Sequence, residues 1–252
     1  MVNTVILSLD RNPAADTWKD GCKRLGLGEA SSTNGVASDH QITTFFKSSA
    51  EWVYLAGHHT WGSLHPKPPK LDYSFMMYNV PGTATLYFYS DRVRLEVVNG
   101  KGVKTQVIRG NNAAEFSLQC KVMLMCGCSI IPDENHPYSN GIADIFALFG
   151  PHLLLGLKGY TGWRMFNYLL GGETPGVPKP LADNFFANLD DETEDVKVIR
   201  NAWLKAGAAG YHDPKQPRTT TTQEAQVIAV DPDGQQWHLK QGEPEKGEKF
   251  RI

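Results

Sequence analysis

Short unbroken runs of apolar residues alternate along this chain with stretches in which apolar positions return every three or four residues. Val5 to Leu9 is apolar and partly β-branched, and it breaks at Asp10-Arg11-Asn12-Pro13, as a buried strand running into a loop does. Glu51 to Ala56 breaks in the same way at Gly57, Lys121 to Met125 at Cys126-Gly127-Cys128-Ser129, and Leu153 to Leu157 at Lys158-Gly159-Tyr160. Helices are expected over Thr17–Leu25, with Asp16 as N-cap and Gly26 near the end, and over Gln41–Ser49, Gly141–Phe149, Pro178–Leu189 and Glu194–Ala206. The last of these offers Val196, Ile199, Trp203 and Leu204 for one apolar face. Ser31 to Asp39 is polar and reads as a loop.

The pattern changes between residues 66 and 113. Pro66-Lys67-Pro68-Pro69 marks an exposed turn, and Thr85–Tyr89, Arg92–Val98 and Val103–Ile108 then alternate as strands. Asn99-Gly100-Lys101-Gly102 is a hairpin signal between the last two. A second hairpin is expected near the end, from Val227–Val230 through Asp231-Pro232-Asp233-Gly234 to Gln236–Leu239. Alternating strands and helices predict an α/β fold. Its mainly parallel central sheet has helices on both faces. The chain, 1–252, reads as one domain, with 66–113 a β-rich insertion and 223–252 a C-terminal hairpin and tail.

Composition narrows the class. With 41% hydrophobic and 21% charged residues the chain is ordinary for a globular protein. The net charge of −2 and a pI near 6.4 supply no basic face for nucleic acid. No apolar run is long enough to cross a bilayer, and the N-terminus has the character of a strand and not of a signal peptide. Four cysteines in 252 residues do not make a disulfide framework. The expected location is cytoplasmic, with no membrane or nucleic-acid partner.

Parallel sheets collect their chemistry at the carboxyl ends of their strands, and two predicted strands end in reactive residues. One runs out into Gly57-His58-His59, the other into Gly127-Cys128-Ser129. If those strands are parallel neighbours, an imidazole and a thiol leave the same sheet edge. A thiol with its usual pKa of about 8.5 holds little thiolate at neutral pH. A neighbouring imidazole stabilises the thiolate and carries protons in acyl transfer, and backbone N–H groups at strand ends hold a developing oxyanion.

A strand ending in Gly-His followed by a later strand ending in a small residue and Cys resembles the caspase-like cysteine peptidases. That group includes caspases, metacaspases, legumain, clostripain and gingipains. The segment Phe149-Gly150-Pro151-His152-Leu153-Leu154-Leu155-Gly156-Leu157-Lys158-Gly159-Tyr160-Thr161-Gly162 resembles the strand that follows the catalytic cysteine in bacterial members. The likeness spans roughly Val5 to Trp203 and implies a caspase-like three-layer sandwich. It also implies His58 as general acid/base, Cys128 as nucleophile, and the N–H groups of His59 and Cys128 as oxyanion donors. Asp10, Arg11 and Asp133 fall where a substrate pocket forms, and their opposite signs leave open a basic or an acidic target side chain. No cofactor is implied, and the partner is a protein or peptide substrate, with a regulatory protein as a further partner. His59 stands where the group carries glycine, so a shifted register makes His59 catalytic. Cys126 is a second thiol beside the first, ranked below Cys128.

Plainer readings stand beside these. Cys22 and Cys120 are assigned as inert core thiols. Four ligands for zinc exist on paper in Cys126, Cys128, His58 and His59, yet Cys-x-Cys beside His-His lacks the usual ligand spacing, and no metal is expected. His65, His136 and His152 read as loop histidines, and Trp61, Tyr73, Phe75 and Tyr78 as packing of the insertion. Gly171-Gly172-Glu173-Thr174-Pro175-Gly176 lacks the Lys-Ser or Lys-Thr of a phosphate loop. Asp190-Asp191-Glu192 caps the following helix, with calcium binding as the alternative. The rival functions are a catalytically silent caspase-like interaction module and a zinc-binding domain.

Overall fold

A computed structural model describes residues 4–9, 13–28, 31–35, 38–57, 84–88, 92–99, 102–109, 120–127, 130–131, 141–158, 181–189, 192–208, 226–239 and 247–250. Strands β1 (Thr4–Ser8), β2 (Ser31–Asn34), β3 (Trp52–Ala56), β7 (Val122–Cys126), β8 (Leu153–Lys158), β9 (Gln226–Val230), β10 (Gln236–Leu239) and β11 (Gly247–Phe250) form one sheet in the order β11-β10-β9-β8-β7-β3-β1-β2. From β2 to β8 every pairing is parallel, and from β8 to β11 every pairing is antiparallel. The mainly parallel α/β sheet expected from the sequence is therefore present. The parallel strands lie in the doubly wound order 2-1-3-4-5 when counted among themselves, which sets a change of winding direction between β1 and β3.

Alternation along each strand builds two apolar layers. Val5, Leu7, Val53, Leu55, Met123, Met125 and Leu154 face one side, where α2 (Asp39–Lys47) and α3 (Gly141–Phe149) bring Ile42, Phe46, Ile145 and Phe149. Ile6, Trp52, Tyr54, Val122, Leu124 and Leu155 face the other. There they meet α1 (Pro13–Arg24), α4 (Leu181–Asn188) and α5 (Val196–Ala208). Trp18 of α1 stacks on Phe185 of α4 with ring centroids 5.5 Å apart, and Trp203 of α5 donates its indole N–H to the Ile228 carbonyl at 3.0 Å.

The insertion forms its own antiparallel sheet, β4 (Ala84–Phe88), β5 (Val93–Asn99) and β6 (Gly102–Arg109). It covers the α2/α3 side: Leu86, Phe88, Val93 and Leu95 join that core, and Phe88 lies 5.7 Å from Phe149 between ring centroids. Lys104 of β6 reaches Asp39 of α2 at 2.7 Å.

Helix ends follow their local chemistry. Ser38 and Gln41 form a capping box at the start of α2. Gly26 closes α1 at φ 68°, with Leu27 N–H donating to the Cys22 carbonyl and Gly26 N–H to the Lys23 carbonyl, the hydrogen-bond pair of a Schellman motif. Four expectations are corrected. Asp16 is not the N-cap, because α1 starts at Pro13 and takes Asp16 into its first turn, proline being suited to the first helical position. Residues 31–34 are not loop but edge strand β2, held to β1 by backbone pairing. The C-terminal region is more than a hairpin and tail, since β11 pairs with β10 as a third strand. Before α5, Glu192 Oε1 accepts the N–H groups of Glu194 and Asp195, and Asp195 Oδ1 that of Lys197. The N-cap is therefore Asp195 and not the Asp190-Asp191-Glu192 run expected there; Glu192 orders the turn ahead of the helix, and Asp190 and Asp191 lie outside the described residues.

Candidate active site

The pairing between β3 and β7 carries the functional argument. The two strands are adjacent, parallel and in continuous register, from Trp52 beside Val122 to Ala56 beside Cys126, a constant offset of seventy positions. Their apolar sequences bury them on both faces, and glycine ends each run. The carboxyl ends stop at one level. Gly35 N–H donates to the Ser8 carbonyl at 3.0 Å, Leu9 N–H to Ala56 at 3.0 Å, and Gly57 N–H to Cys126 at 3.1 Å. This row crosses β2, β1, β3 and β7 and marks a straight edge.

Asp10, His58 and Cys128 each come next in the chain after a residue at that edge: Leu9, Gly57 and Gly127. His58 and Cys128 are themselves separated by the same seventy positions. His58, His59, Cys128, Asp10, Arg11 and Asp133 all lie outside the described residues, so the sequence-predicted site is framed by its neighbours. The parallel adjacency required of the two strands is met. His65, His136, the aromatic run at Trp61 to Tyr78 and the glycine-rich segment 171–176 also lie outside the described residues.

The chain leaving the edge is quickly recaptured. Two residues beyond Cys128, Ile130 is fully buried, and Ile131 N–H donates to the Leu157 carbonyl of β8 at 2.9 Å. Ile131 also forms a parallel bridge with Lys158. Sequence reading passed over these two isoleucines, although an apolar pair so soon after a strand end was the available signal.

Cys22 and Cys120 differ from an activated thiol. Cys22 is buried in α1, and burial pushes its thiol up to about 12, held back in part by a hydrogen bond with Thr4. Burial pushes the Cys120 thiol up as well. A thiol shifted this way stays protonated and is a poor nucleophile, which agrees with the inert role expected of both. Cys126 faces the helical layer and borders a small apolar pocket with Ala14, Tyr54, Leu157, Leu181 and Trp203. His152 is exposed in the turn before β8, as a loop histidine should be. Among the described residues no three His, Cys, Asp or Glu side chains gather to hold a metal ion, and no helix is long and apolar enough to cross a membrane. Comparison with family models, curated proteins and solved structures returned no match.

Proposed function

We propose that this chain is a cysteine endopeptidase of the caspase-like kind, acting through a His58–Cys128 dyad. The observation that supports the reading is the registered, parallel β3–β7 pair, whose level carboxyl ends lead straight into Gly-His and Gly-Cys. The mainly parallel sheet between two apolar layers supports the same reading.

In this reading the Cys128 thiolate attacks the scissile carbonyl carbon, and the N–H groups of His59 and Cys128 receive the oxyanion. His58 gives a proton to the departing amine as the C–N bond breaks, leaving a thioester. A water molecule, deprotonated by His58, then hydrolyses the thioester and restores the thiol. Asp10, Arg11 and Asp133 lie near the substrate side chain, and the cytoplasm is the location. The reaction requires no cofactor.

A peptide-library cleavage profile tests the proposal, with Cys128→Ala and His58→Ala as controls. A thiol-directed peptide inhibitor should label Cys128. Labelling elsewhere, with cleavage intact in Cys128→Ala, rejects the assignment. His59, standing where the group carries glycine, favours a second reading, a catalytically silent module that binds a protein partner; absence of any Cys128-dependent cleavage would select it. Zinc in stoichiometric amount on elemental analysis would instead select the metal-binding domain.

A further inference from the structure

We draw no further inference here: the strongest candidate, the small apolar pocket that Ala14 of α1, Leu181 of α4 and Trp203 of α5 form against Cys126 at the carboxyl end of β7, carries nothing because nothing in the structure shows what covers it.

Discussion

The two halves of the main sheet contain similar materials and do different work. In the parallel half, β2-β1-β3-β7-β8, a row of backbone hydrogen bonds from Gly35 through Ser8 and Ala56 to Cys126 keeps the carboxyl ends of β2, β1, β3 and β7 level. In the antiparallel half, β9 and β10 turn back at once through Asp231 to Gln235, where Gly234 N–H donates to the Asp231 carbonyl and Asp231 Oδ1 accepts from Gln235 N–H. Polar side chains in that half are consumed by structure. Arg200 of α5 lies over the Trp237 ring, 3.9 Å from its centroid, and the Trp237 indole N–H reaches Asp231 at 3.4 Å. A parallel strand needs a crossover before the chain returns, so its end loop is released for other uses, whereas a hairpin spends its turn on reversal. Chemistry is expected in the first half and stability in the second.

Five perturbations break or sharpen that contrast. The largest effect belongs to the parallel edge: Cys128→Ala should lower peptide cleavage by about a thousandfold or more while leaving the melting curve in place. Trp203→Ala, in the layer beneath β9, should cost about 3–5 kcal/mol of stability, read by denaturant unfolding, because it removes a fully packed ring and the bond to Ile228. The third perturbation is alkaline pH. The Cys22 thiol is raised in the folded chain to about 12, so its contribution is complete below the unfolded thiol range and is lost as pH climbs through the folded value. That loss should reach roughly 2 kcal/mol by about pH 10.5, and Cys22→Val should remove this share while leaving the loss that comes from the Cys120 thiol, which burial also raises. Arg200→Ala should destabilise by about 1 kcal/mol with no change in alkylation of Cys128. Lys104→Ala, at the exposed pair with Asp39, should cost about 0.5 kcal/mol or less, and its effect should fade in salt.

Much of the fold was legible. Runs such as Trp52 to Ala56 and Leu153 to Leu157 are apolar enough to name buried strands, and the Asn99–Gly102 and Asp231–Gly234 turns name hairpins. Ser31 to Asn34 was not legible, because an edge strand held by backbone hydrogen bonds to one neighbour needs no apolar side chains. Helix α1 starts before its expected cap because a proline tolerates the first turn. For the site, the motif order pointed to two strand ends, but the offset that aligns Ala56 with Cys126 is a property of pairing and not of either segment. Gly156 is of the same kind: a Cβ there would meet Ile130 Cγ2 at 3.1 Å, and nothing local marks a glycine as one that another segment fills.

Local sequence determined which stretches are strands and helices, where glycine and proline interrupt them, and which reactive residues follow a strand end, since burial and turn chemistry act over a few neighbours. Only the tertiary structure decided that β3 and β7 lie side by side in register, that the inserted sheet covers the α2/α3 layer, and that Ile130 sits in the gap left by Gly156. Those outcomes depend on packing between segments far apart in the chain, and such contacts leave no periodic trace in either partner alone.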